Sequence, residues 1–184
     1  MLFLKEYKSK KIKDENLYSS RHKIFNSKNP NLEALLEFRF SWMKRFVKNK
    51  RHIIELGSGS GCIKKIINSK KILLTDVVKY PWINKIIDMN KINLGKKYYN
   101  KIDIFIFNHS LHHCSNPSKT LKEISKYLKK GGLILLNEPE ASFFLRFIQY
   151  VLDDEDWSFN VNIFNSKKKI FKSINPWSSN TATA

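Results

Sequence analysis

Nine consecutive residues, Ile53-Ile54-Glu55-Leu56-Gly57-Ser58-Gly59-Ser60-Gly61, constrain this chain more than any other stretch. A short apolar run that closes on an acid and then on three alternating glycines predicts a buried strand, a tight turn and a helix beginning at about Cys62. Glycine takes backbone angles closed to other residues, and its missing side chain lets main-chain N–H groups meet a ligand directly. Those N–H groups stand at a helix N-terminus, where unpaired donors and the helix dipole favour a negative group. The turn is therefore a candidate site for a small molecule with an anionic end.

Spacing narrows the molecule. A dinucleotide fold wants Gly-x-Gly-x-x-Gly, which would put glycine at position 62, where this chain has Cys62. A nicotinamide-dependent oxidoreductase is disfavoured on that ground. The observed order, acid-x-Gly-x-Gly-x-Gly, resembles motif I of the class I S-adenosylmethionine-dependent methyltransferases, carried here by Glu55, Gly57, Gly59 and Gly61. The resemblance implies that the turn from Gly57 through Ser58 to Gly61 passes under the methionine part of S-adenosyl-L-methionine and that Glu55 orients its amino-acid end.

The residues that follow repeat the strand-and-turn pattern. Ile72-Leu73-Leu74-Thr75 predicts a second buried strand ending in Asp76, after a short helix over Cys62 to Asn68. An acid about 20 positions beyond the first strand, at the tip of the next, is placed to accept hydrogen bonds from two ribose hydroxyls. A turn residue or helix cap is the competing reading of Asp76. Val77 follows it on the ligand side. Ile86-Ile87 predicts a third strand with Asp88-Met89 at its exit, where the resemblance implies contact with the adenine. Only Val77 to Lys85 separate these two strands, with Pro81 among them, whereas a parallel crossover normally carries a helix. Either that link is an extended loop or the strand near 86 is absent.

Ile102 to Phe107 predicts the fourth strand, followed by Asn108-His109-Ser110-Leu111-His112-His113-Cys114 at the switch in strand order where ligands bind. The Leu-His-His run resembles the small-molecule, "type 11" branch of the methyltransferases. The resemblance places Asn108 and His109 at the methyl end of the cofactor. His109, His112 and His113 are the candidate general bases, since imidazole titrates near neutrality. Packing or capping competes for His112 and His113, and adjacent residues on a short helix face different ways, so at most one of the two enters the site. The turn lacks the Asn/Asp-Pro-Pro-Tyr pattern of enzymes that methylate planar exocyclic nitrogens, which disfavours nucleic-acid adenine as acceptor.

Asn116-Pro117 opens a helix running to about Lys129, which Gly131-Gly132 stops before a fifth strand, Leu133 to Leu136, closed by Glu138-Pro139. That tract also resembles the type 11 branch. An apolar helix over Ser142 to Leu152 and the acidic run Asp153-Asp154-Glu155-Asp156 follow. Contiguous carboxylates cannot all converge on one ion, so the run reads as a solvated loop or a cap on the basic surface and no metal is expected. Residues 163–184 leave little room for a sixth and seventh strand, and Asn175 to Asn180 reads as loop.

The N-terminal end, residues 1–28, reads as a basic arm with one or two helical turns, and Tyr18, Arg21 and His22 are candidate lid residues over the cofactor. From Asn29, a cap, and Pro30, a first-turn proline, Leu32, Leu35, Leu36, Met43, Phe46 and Val47 recur at helical spacing. The expected architecture is an α/β, Rossmann-like parallel sheet of order 3-2-1-4-5 flanked by helices, with an N-terminal helical arm and with strands 6 and 7 missing, as in a C-terminally truncated family member. Its segments are 1–50, arm and helix; 51–140, cofactor-binding core; and 141–184, helix and irregular tail, in one domain overall.

The formal net charge of +18 over 184 residues raises nucleic acid as a partner. The lysines are spread over most surface segments, whereas a nucleic-acid footprint clusters and interleaves with aromatics, so a codon-biased composition is the favoured explanation. Two cysteines, Cys62 and Cys114, make neither a disulfide framework nor a metal cluster. No run has the 18 or so apolar residues of a membrane span, and the N-terminus is too short in apolar residues for a signal peptide, so a cytoplasmic location is expected. The functional expectation is methyl transfer from S-adenosyl-L-methionine to a small-molecule acceptor. The alternative is a basic RNA-binding module of methyltransferase-like fold, with or without activity.

Overall fold

The computed structural model describes residues 6–7, 17–138, 142–152, 156–158 and 180–182. Its centre is a five-stranded parallel sheet built from β2 (Ile53–Leu56), β3 (Ile72–Asp76), β4 (Lys85–Ile86), β5 (Ile102–Asn108) and β6 (Leu128–Asn137), in the spatial order β4-β3-β2-β5-β6. Numbered within this sheet alone, that is the expected 3-2-1-4-5. β2 and β5 are buried nearly throughout, which is why their sequences are continuous apolar runs rather than alternating ones.

Side chains pointing to opposite faces make two cores. On one face Ile53, Ile72, Leu74, Ile104 and Ile106 pack against α2 (Pro30–Phe40), a 3-10 turn at Ser41–Met43, α3 (Lys44–Val47) and α4 (Ile63–Ile66). On the other, Ile54, Leu56, Phe105 and Phe107 pack with Ile124 of α5 (Pro117–Ser125), Tyr127 and Met89. Phe40, Phe105 and Phe107 are fully buried, each contributing about 1.5–3 kcal/mol by burial. Asn29 caps α2, its side chain accepting from Asn31 N at 2.9 Å with Pro30 in the first turn, and Asn116 caps α5 in the same way through Lys119 N at 2.9 Å.

Several expectations change. The helix after the glycine turn covers Ile63–Ile66, not Cys62 to Asn68. Gly131-Gly132 does not stop a helix: α5 ends at Ser125, and the glycines lie within β6, which starts at Leu128 rather than Leu133. There they form an irregularity in the ladder, Ile102 pairing with Leu128 and Ile104 with Leu133, with Gly131 at φ +74. The helix from Pro30 breaks at Ser41–Met43, and Leu35 points outward while Phe40 fills the core. The link from β3 to β4 is the helix-free loop. β4 is two residues long, Asp76 pairs with Ile86, and Asn84 completes the edge by accepting from Leu74 N at 2.8 Å.

Among its described residues the arm holds the helix α1 (Leu17–Asn26) and the strand β1 (Glu6–Tyr7). β1 pairs antiparallel with β7 (Asp156–Ser158), which pairs parallel with β8 (Asn180–Ala182), a three-stranded sheet separate from the main one. Asn180, expected in a loop, thus opens a strand. Among the described residues no sixth or seventh strand joins the main sheet. Asp153 to Glu155 and residues 159–179, with most of the tail expectations, lie outside the described residues. The apolar helix α6 (Phe143–Leu152) leaves Phe143, Phe144, Phe147 and Val151 exposed. Among the described residues no helix is long and apolar enough to cross a membrane.

Candidate active site

Parallel pairing puts the carboxyl ends of β2, β3, β4 and β5 along one edge, and Glu55, the glycine turn, Asp76, Asp88 and Asn108 all fall there. The turn is stitched to β3 by Ser58. Its N–H donates to Thr75 O at 2.8 Å and its hydroxyl accepts from Thr75 N at 3.1 Å, so the Ser58 side chain is engaged within the fold. The three glycines have different reasons to be glycine. All have positive φ, but a Cβ on Gly57 would lie 2.7 Å from Ser110 Cβ, and one on Gly61 would lie 2.9 Å from Leu74 Cδ1 and 3.0 Å from Arg21 Nη1. At Gly59 a Cβ would meet nothing within 4 Å. Gly57 and Gly61 answer to packing, and Gly59 alone faces open space.

Glu55 is buried, and its Oε2 has no hydrogen-bond partner. Burial pushes its carboxyl up to about 8, against the lowering effects of Ser58 and Lys64 and with a further rise from Asp76. Such a group is a standing cost until a donor or cation reaches it. On the adjacent tip, Asp76 accepts from Gly59 N at 2.8 Å through Oδ2 and from Val78 N at 3.3 Å through Oδ1. The carboxylate that the resemblance assigns to ribose thus also shapes the glycine turn. Val77 is half-buried beside it.

Asp88 caps the turn Met89–Lys91, accepting from Asn90 N at 2.8 Å. Met89 is buried, with its Cε 3.2 Å from where a Gly57 Cβ would stand. Asn108 accepts from Asn137 Nδ2 at 3.0 Å. His109 has φ +52, the left-handed region, and donates its N–H to Asn137 O at 2.7 Å. Burial, then the neighbouring Arg39, lowers the His109 ring to about 4 despite the opposing carboxylate of Glu138, so it is neutral at physiological pH.

The histidine turn is held by a residue that the motif reading named only as the end of a strand. Glu138 Oε1 accepts from Ser110 N at 3.0 Å and Leu111 N at 2.8 Å, and its Oε2 meets His112 Nδ1 at 2.5 Å. Burial alone would raise the Glu138 carboxyl. The bond and charge of His112, with the two N–H groups, bring it below its ordinary value. His112 Nε2 is buried and unpartnered. The His113 ring lies tilted beside it at 4.2 Å between centroids, and His113 donates its N–H to Ser110 O at 3.1 Å. An acid at the tip of the fifth strand, next to the exit of the fourth, was the signal available in sequence for Glu138.

The arm reaches the glycine turn. Arg21 lies between the rings of Phe25 and Trp82, 4.2 and 4.7 Å from their centroids, and donates to Ser60 O at 2.5 Å. Trp82 Nε1 donates to Gly59 O at 2.8 Å, and Tyr18 packs edge-on against Tyr80 and Trp82. Arg21 therefore reaches the turn from a regular helix, with Tyr18 packed on the Trp82 that also bonds the turn and His22 lining the adjacent groove.

A parallel 3-2-1-4-5 sheet with a glycine turn at its switch point is the Rossmann-like fold of the methyltransferases. The chain belongs to the methyltransferase domain family, whose sequence model matches residues 32–165. Among solved structures, the DszA carbon methyltransferase shares the fold at 19% identity and a TM-score of 0.50, over 69% of this chain and 41% of that one. The CurJ carbon methyltransferase aligns at 16% identity and 0.48, over 74% and 42%. A methyltransferase described as dependent on S-adenosylmethionine, from Aquifex aeolicus, aligns at 18% and 0.48, over 72% and 76%. The chain thus spans about two-fifths of the length of the two carbon methyltransferases. No curated protein matches it in sequence.

Proposed function

We propose that this chain binds S-adenosyl-L-methionine along the carboxyl edge of the main sheet and transfers its methyl group to a small-molecule acceptor. The observation that carries the reading is the buried, unpartnered Oε2 of Glu55 on the strand that leads into the open face of Gly59. A cofactor with a cationic amino group answers the buried carboxyl at Glu55, and the open face of Gly59 leaves room for its amino-acid end. The cofactor's other parts fall to Asp76 and Val77 for the ribose, Asp88 and Met89 for the adenine, and Asn108 and His109 for the methyl end. Gly57 and Gly61 keep the turn close to its neighbours, and Ser58 fixes it to β3.

When bound, the cofactor supplies an electrophilic sulfonium methyl, so that the acceptor's electron pair forms the new bond to carbon while the carbon–sulfur pair stays on sulfur. The protein's part is to hold the reactants in line and exclude water, which requires no covalent bond to the enzyme. Residues 17–26 contribute by reaching the glycine turn through Arg21. Calorimetry with S-adenosylhomocysteine is the test. Saturable binding that weakens in Asp76→Ala is expected, and no binding by the wild-type chain would refute the reading.

A further inference from the structure

Along the sequence the lysines are dispersed, but the fold sets Lys85, on the edge strand β4, against the segment Lys96-Lys97-Tyr98-Tyr99-Asn100-Lys101 ahead of β5. We propose that Lys85, Lys97 and Lys101, with Lys96, Tyr98 and Tyr99, form a docking surface for single-stranded RNA. None of these residues is assigned to the cofactor, so the proposal stands apart from that reading.

Three observations carry it. The first is a convergence of unpaired charge. The ammonium groups of Lys97 and Lys85 lie 5.2 and 5.7 Å from the centroid of the Tyr98 ring. These two, and the equally exposed Lys96 and Lys101, form no ion pair among the described residues. The acids of the surrounding segments are engaged elsewhere: Glu123 pairs with Lys126 at 2.8 Å, and Asp88 accepts from Asn90 N at 2.8 Å. Like charges gathered without a counter-charge repel one another, and a phosphate chain relieves the repulsion.

The second is the aromatic surface among those charges. Tyr99 is 42% exposed and is backed by the buried Tyr127, 5.1 Å away between ring centroids. Unpaired bases stack on rings of this kind. The third is the fixed frame. Asn93 Oδ1 accepts from Gly95 N at 2.9 Å, Gly95 turns the chain at φ +88, and Tyr98 packs against the core. Asn100 N and Lys101 N then donate to Lys126 O and Tyr127 O at 3.2 and 2.9 Å. Side chains carried on a backbone already ordered leave less freedom to be lost on binding.

The mixture of groups selects the partner. A bilayer surface answers to a broad apolar face bordered by basic residues, whereas here two tyrosines stand among ammonium groups and Tyr98 is itself half-buried. A DNA duplex offers phosphates but keeps its bases stacked on one another. RNA presents unpaired bases in its loops and ends, where aromatic side chains reach them.

The test uses the full chain and fluorescence anisotropy with a labelled uridine oligonucleotide of about 12 residues. Saturable binding is expected, weakening roughly 50-fold between about 0.05 and 0.2 M salt, as lysine–phosphate contacts from Lys85, Lys96, Lys97 and Lys101 to a single strand require. Replacing Lys85, Lys97 and Lys101 together by alanine should reduce that salt effect to about threefold. Tyr99→Ala should weaken binding about tenfold, while Tyr99→Phe, which keeps the ring, should bind as wild type does. Replacing the exposed Lys48, Lys70 and Lys71 by alanine removes the same charge elsewhere and should change the affinity by less than about twofold. No saturable binding by wild type, equal losses in the two triple variants, or equal affinity in Tyr99→Ala and Tyr99→Phe overturns the proposal. So does tighter binding to duplex DNA, to a thymidine oligonucleotide or to phosphatidylserine vesicles than to the RNA.

Discussion

Gly57 and Gly59 stand two residues apart in one turn, both with left-handed backbone angles, φ +68 and +49. Replacing each by alanine should nevertheless have opposite consequences. The conformational cost is similar at both, about 1–2 kcal/mol for an L residue held there, offset by about 0.4–1 kcal/mol from a less flexible unfolded chain. At Gly59 little else is added, because no atom lies within 4 Å of the new methyl. At Gly57 the methyl would sit 2.7 Å from Ser110 Cβ. Ser110 cannot easily retreat, since its hydroxyl is bonded to Leu56 O and its N–H to Glu138. Overpacking of that kind adds about 1–3 kcal/mol. Gly57→Ala should therefore lose about 1–4.6 kcal/mol in urea unfolding, and Gly59→Ala about 0–1.6 kcal/mol, the sums of the terms above. In calorimetry with S-adenosylhomocysteine the order should reverse. Gly59→Ala places a methyl in the cradle itself and should weaken binding by roughly tenfold or more, equivalent to about 1.4 kcal/mol. Wild-type affinity in Gly59→Ala would refute the assignment of its open face to the ligand. Equal losses of stability in the two variants would refute the steric argument at Gly57.

Two further outcomes follow from buried carboxylates of opposite behaviour. Glu55 has its pKa raised to about 8 by burial, above the ~4.3 of an unfolded glutamate. Between those values the folded state holds the extra proton, so stability should fall as pH rises through that window, and Glu55→Gln should flatten the decline; parallel unfolding profiles for the two proteins would contradict this. Asp103 is the reverse case. Burial opposes its ionisation, but Lys129 Nζ at 2.7 Å and the N–H groups of His52 and Arg51 at 2.9 and 3.0 Å hold it down to about 2. Its contribution is present above the ordinary aspartate range and is lost as pH falls toward 2. Asp103→Ala strands two N–H groups at the entry to β2 and should cost roughly 2 kcal/mol at pH 7 by urea unfolding, while a change below about 0.5 kcal/mol would show that water replaces the carboxylate freely.

Legibility in sequence followed burial. β2, β3 and β5 are contiguous apolar segments covered on both faces, and each was readable to within a residue because its neighbours in sequence share its environment. β4 has only two residues, both exposed, so its sequence carries almost no pattern, and it is defined by pairing with Thr75 and Asp76. Paired glycines ordinarily mark a helix end, so the local pattern predicts too short a β6. Here they sit in a ladder irregularity, where the strand's partner, Ile102 to Ile104, decides the conformation. The break at Ser41–Met43 is likewise invisible to helical periodicity, which continues across it.

The chain's local pattern by itself determined the central strands, their glycine turn and the acids at their tips, because apolar runs and glycine spacing report the environment of contiguous residues. Tertiary packing decided which of those groups are spent and which are left over. The Ser58 hydroxyl is consumed by β3 while Glu55 Oε2 is stranded. Arg21 closes on Ser60 across 39 positions, and Glu138 meets His112 across 26. A hydrogen bond between residues so far apart depends on how two elements pack, a relation that neither segment's own sequence encodes.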